Sequence, residues 1–84
     1  MEKFKLEKQY RGNLSIDGAL EHFTDEIAGK LDCGLEDDKV IELSSINNYT
    51  KEILFMENGM RLEIEVFFDT KEDEWICTCQ EINT

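Results

Sequence analysis

The chain has 84 residues, 40 % of them apolar, and carries twenty acids against nine bases for a formal net charge of −11. That length makes one domain, residues 1–84, with a modest core and no cleft between domains for catalysis. The charge disfavours nonspecific contact with nucleic acid or an anionic membrane and makes a basic protein surface or a cation the natural counterpart.

The charge is uneven. Residues 1–12 set Lys3, Lys5, Lys8 and Arg11 against Glu2 and Glu7, a net of +2, so the remaining residues carry −13. Three cysteines, Cys33, Cys77 and Cys79, do not make a disulfide framework. No signal peptide opens the sequence and no apolar run reaches membrane-spanning length, which points to a cytoplasmic protein with reduced thiols.

In chain order, residues 3–10 alternate, with Phe4, Leu6 and Tyr10 on one side and Lys3, Lys5, Glu7 and Gln9 on the other, as in a half-buried strand. Gly12 and Asn13 end it. Residues 16–31 predict a helix, because Ile16, Leu20, Phe23, Ile27 and Leu31 recur at helical spacing. Ser15 is the expected N-cap, Asp17 and Lys30 suit the two ends of the helix dipole, and Gly34 is the expected stop.

Strands are predicted at 39–44, 51–57, 60–68 and 75–82. Asn58-Gly59 between two apolar runs predicts a two-residue type I′ hairpin turn. That turn places Phe55 opposite Leu62 and Ile53 opposite Ile64 on the buried face, and Glu52 opposite Glu65 and Leu54 opposite Glu63 on the other. A polar loop at Thr70–Asp73 then sets Phe68 opposite Trp75, Val66 opposite Cys77 and Ile64 opposite Cys79. The expected fold is α+β: a four- to five-stranded, mainly antiparallel sheet with one helix packed on one face, in β-α-β-β-β-β order. The place of the first strand in the sheet is left open.

The expected outer face mixes carboxylates with Val40, Leu54, Met56, Phe67 and Ile76, a composition closer to a protein-binding surface than to a solvated one. Candidate partner-binding residues are therefore Glu52, Leu54, Glu63, Glu65, Phe67, Asp69, Glu72, Asp73 and Glu74. Arrays of surface carboxylates can stand in for nucleic-acid phosphates and attract the basic channel of a nucleic-acid-binding protein. The segment from Asp69 lacks the glycine and terminal glutamate of a calcium-binding loop. Cys77, Cys79 and His22 lack metal-site spacing, and His22 has no Ser or Cys elbow to serve. No phosphate-binding glycine motif occurs.

Neither cofactor, metal nor catalytic residue is expected, and the chain reads as a non-enzymatic binding module that inhibits or regulates a basic protein. Its size and acidity are of the kind seen among small inhibitors such as toxin-immunity proteins and phage-encoded antagonists of host defence, a likeness of composition that assigns no residue. The alternative is a self-assembling module, a homodimer through the outer face or an edge strand.

Overall fold

One amphipathic stripe and a set of alternating strands fold here into a helix laid on a sheet. In the computed structural model, which describes residues 3–46 and 48–82 and only the backbone within 37–46, the elements run β1 (Lys5–Arg11), α1 (Ile16–Leu31), β2 (Leu35–Ile46), β3 (Tyr49–Met56), β4 (Arg61–Asp69) and β5 (Glu74–Glu81). All five strands join one curled antiparallel sheet in the order β1-β5-β4-β3-β2. The α+β class and the single helix on one face follow the sequence pattern. The first strand takes an edge, beside β5, with Leu6 opposite Cys79 and Tyr10 opposite Trp75. β1 and β2 occupy opposite edges, so α1 carries the chain across one face and packs on β1, β4 and β5.

The helix begins as its sequence dictates. Ser15 is extended (φ −74°, ψ 165°). Its Oγ accepts the Gly18 amide at 3.0 Å, satisfying one of the first-turn donors. Ser15→Ala is expected to cost about 1 kcal/mol in urea denaturation. The stop is different from the one expected. Asp32, not Gly34, takes the left-handed conformation (φ 52°) that ends the helix. Ala28 O accepts the Cys33 amide there. Gly34 instead offers its carbonyl to the Glu57 amide at 2.9 Å.

The core lies between α1 and the inner sheet face. Ala19, Phe23 and Ile27 of the helix meet Leu62, Ile64 and Val66 of β4 and Trp75, Cys77 and Cys79 of β5. Leu54 and Met56 of β3 complete it. Trp75 closes one end: its indole N–H donates to Leu14 O at 2.9 Å, and Phe68 meets it edge-on at 5.0 Å.

The β3–β4 hairpin departs from the expected register by one residue. Leu54 lies opposite Leu62, Ile53 opposite Glu63 and Lys51 opposite Glu65. The loop is Glu57-Asn58-Gly59. Gly59 N–H bonds Met56 O at 2.9 Å, and Met56 N–H bonds Met60 O at 2.9 Å. Gly59 is left-handed (φ +92°), whereas Asn58 is not among the positive-φ residues, so the type I′ requirement of two such residues is unmet. Asn58 Oδ1 accepts the Met60 amide instead, supporting a three-residue turn with a glycine bulge.

A one-residue slip sends every β3 side chain to the other face. Leu54 and Met56 are therefore core residues at 2 % and 0 % exposure, not outer-face ones. Ile53 and Phe55 take their place outside. The gain is electrostatic as well. The expected like-charge pair Glu52–Glu65 is replaced by Lys51 opposite Glu65, with Lys51 Nζ 3.4 Å from Glu63. Arg61 sits 5.1 Å above the Phe55 ring.

Candidate functional site

Strand alternation defines the outer sheet face, turned away from the helix. Three cross-strand rows can be followed from β3 to β1: Tyr49–Phe67–Ile76–Gln9, Lys51–Glu65–Thr78–Glu7 and Ile53–Glu63–Gln80–Lys5. The structure brings Glu63, Glu65 and Phe67 onto this face, as expected, beside Thr78 and Gln80. Phe67 is 37 % exposed between the half-buried Tyr49 and Ile76 of its own row, while the half-buried Ile53 and Phe55 lie farther along β3, beyond the Lys51–Glu65–Thr78–Glu7 row.

The carboxylates of this face are held in place. Tyr49 donates its hydroxyl to Glu65 Oε2 at 2.7 Å, and Lys51 pairs with Glu63. Accepting that hydrogen bond, Glu65 holds the Tyr49 phenol above its ordinary 10.0. Two expected site residues do not belong here. Leu54 is buried in the core, and Glu52 lies in register with Ile64, on the inner side of β3. Val40 falls among the residues whose side chains lie outside the described set.

Asp69, Glu72, Asp73 and Glu74 form the β4–β5 turn and its two shoulders. Asp69 is employed structurally: its Oδ1 accepts the Lys71 and Glu72 amides at 2.9 Å and 3.3 Å. Glu74 lies opposite Arg11. The turn is clamped to the β1–α1 loop, because Gly12 N–H donates to Asp73 O at 2.9 Å. A Cβ at Gly12 would sit 2.5 Å from that same oxygen, so Gly12→Ala forces the turn away. The expected loss is about 1–3 kcal/mol, read as a lower urea midpoint.

Charge separates by side. Among the described side chains of the outer face, Lys5, Arg11, Lys51 and Arg61 stand against Glu7, Glu63, Glu65, Asp69 and Glu74, a net of −1. The basic N-terminal strand produces this balance. The exposed side of α1 instead presents Asp17, Glu21, Asp25 and Glu26, with Asp32 at its cap, against Lys30. Asp17, Glu21 and Asp25 follow one another at four-residue steps, a rise of about 6 Å each. The row begins just after the β1–α1 loop, to which the acidic turn with Glu72 and Asp73 is clamped. Attention to the strands alone misses this row; acids at i, i+4 opposite the apolar stripe were its sequence signal.

His22 stacks on Tyr10 at 5.7 Å above a shallow depression lined by Asp25, Glu26, Gly29 and Lys30. Lys8 reaches Glu26 at 3.8 Å. Burial, with repulsion from Cys77 as it ionises in the same alkaline range and from the carboxylates of Glu26 and Asp25, pushes Tyr10 up to about 12. Its hydroxyl is buried without a hydrogen-bond partner among the described residues. The three cysteines are free thiols. Among the described residues no group of His, Cys, Asp and Glu comes together to hold a metal ion, and no helix is long and apolar enough to cross a membrane. No known family, curated protein or solved structure matches the chain.

Proposed function

We propose that this chain is a small acidic interaction module that binds a basic protein and, by occupying its basic surface, inhibits or regulates it. The observation that carries the reading is the segregation of charge. A net of −11 on 84 residues is not spread evenly, and one side of the molecule presents a regular anionic row along α1, joined by the β4–β5 turn. Such a row supplies the spaced negative charges that a nucleic-acid-binding channel normally meets as phosphates, and its field speeds encounter with a positive surface. Glu72, Asp73 and the helix acids then make the contact, in place of Glu52 and Leu54. Glu63, Glu65 and Phe67, on the far side of the sheet, are not needed for it.

The test is a pair of reversals on the full chain. A basic nucleic-acid-binding protein recovered on the wild-type chain is titrated with Glu21→Lys/Asp25→Lys and, separately, with Glu63→Lys/Glu65→Lys. The helix variant is expected to bind about four- to several-hundredfold more weakly, since loss and reversal of two rim charges at about 0.2–1 kcal/mol per step come to about 0.8–4 kcal/mol. Affinity should also fall as salt rises, and duplex DNA should compete. Full binding by the helix variant would overturn the reading.

A further inference from the structure

The outer sheet face differs from the rest of the surface in a way that identifies its occupant. It exposes Phe67 between the half-buried Tyr49 and Ile76 of its row, carries the half-buried Ile53 and Phe55 farther along β3 beyond the Lys51–Glu65 pair, and among the described residues no element covers it. Its described side chains are also near-neutral on a strongly acidic molecule, with bases and acids interleaved. A basic partner is drawn to the other side. A two-fold contact needs a patch that complements itself, since residue i meets j and j meets i. Interleaved Lys5, Lys51 and Arg61 with Glu7, Glu63 and Glu65 meet that condition; the anionic row on α1 repels its own copy.

We infer that this face seats a second copy of the chain, sheet against sheet, in a two-fold dimer. The footprint is adequate. Strands spaced by about 4.8 Å, with a rise of about 3.3 Å per residue, give this sheet a face of roughly 600 Å² in projection, and more as accessible area. Each partner in a standard interface contributes about 800 Å². The edges are poorer candidates. β1 carries Lys5, Glu7, Lys8 and Arg11, and β2 pairs with two register shifts, between Leu35 and Val40 and between Glu42 and Ser44. Charged and irregular edge strands discourage edge pairing. Phe67, near the middle of the apolar row, is the anchor. This inference does not rest on the binding of a basic partner, and the dimer leaves both anionic rows facing outward.

Salt separates the two interactions. The described side chains of the contact face carry only −1 of each copy's net −11, so added salt screens repulsion between the bodies and favours the dimer, whereas it weakens a basic partner's hold. The test is sedimentation velocity of the full chain over a wide concentration range at low and high salt. The expected mass approaches twice 9.8 kDa with concentration, and earlier in high salt. Phe67→Glu is expected to raise the dimer dissociation constant about a hundredfold or more while leaving the circular dichroism spectrum unchanged; Ile53→Lys, on the same face, gives the same reading if the first variant unfolds. A 9.8 kDa species under all conditions overturns the inference. So does a dimer that survives both substitutions, or one that salt dissolves.

Discussion

Phe23→Ala is expected to lose about a quarter or more of the protein's resistance to urea. Phe23 is fully buried at the middle of the helix stripe, within the cluster that joins α1 to β4 and β5. Truncating a buried phenylalanine removes its transfer free energy and leaves a cavity, together about 3–5 kcal/mol. At about 0.05–0.15 kcal/mol per residue, a chain of this length holds only about 4–13 kcal/mol in all. The substitution therefore consumes most of the margin at the low end of that range. Phe67→Ala is the internal comparison. It removes the same atoms from a position 37 % exposed and should move the midpoint far less. Denaturation followed by circular dichroism measures both. Equal shifts would mean that the helix is not seated on the sheet as described.

Much of this fold is legible in the sequence because two signals agree where it matters. The helix reads as 16–31 and is Ile16–Leu31, since stripe, cap and dipole residues point the same way. The β4–β5 pairing, Val66 opposite Cys77 and Phe68 opposite Trp75, follows from the strand alternation and the length of the polar loop. The β3–β4 register was not legible. Ile53, Leu54, Phe55 and Met56 are apolar in succession, so the pattern accepts either face, and the decision passes to the turn. There Asn58-Gly59 suggests two loop residues, while the backbone uses three. The surplus residue, Glu57, is chemically neutral to the choice. What favours the observed register is distributed over the pairings it creates: Lys51 against Glu65 and Glu63, and Arg61 against Phe55.

The same slip explains why the candidate site was only half legible. Residues of β4 and β5 kept their predicted faces, so Glu63, Glu65 and Phe67 lie outside as expected. Residues of β3 exchanged faces, so Leu54 went inward and Glu52 left the acidic patch. The charge balance of the outer face depends on β1, whose edge position no local pattern specifies. Once β1 lies beside β5, its Lys5 and Arg11 join that face and its Lys8 turns to Glu26 of the helix. The acidity then shifts to the opposite side of the molecule.

Alkaline pH is expected to unfold the protein through its two sheet thiols. Cys77 and Cys79 lie in the core, and burial pushes both from the ordinary 9.0 up to about 12. Between those values the unfolded chain releases a proton from each thiol while the folded chain keeps it. The stability they contribute is thus complete below pH 9 and is lost as pH rises toward 12. The slope is about 1.4 kcal/mol per pH unit for each thiol, or about 2.7 kcal/mol for the two together. Near pH 11 the loss reaches about 5 kcal/mol, comparable to the lower end of this chain's margin. Tyr10, raised from 10.0 to about 12, acts in the same direction above pH 10. Urea midpoints measured from neutral pH upward should therefore fall steeply beyond pH 9. Cys77→Ala/Cys79→Ala should start lower, because two small core side chains are truncated, yet fall much less over the same interval. A wild-type slope retained in the double variant would assign the alkaline transition to other groups. Thiol labelling gives an independent reading. With both sulfurs buried and protonated, modification of Cys77 and Cys79 at neutral pH should proceed only at the rate of global opening, while the partly exposed Cys33 reacts ahead of them.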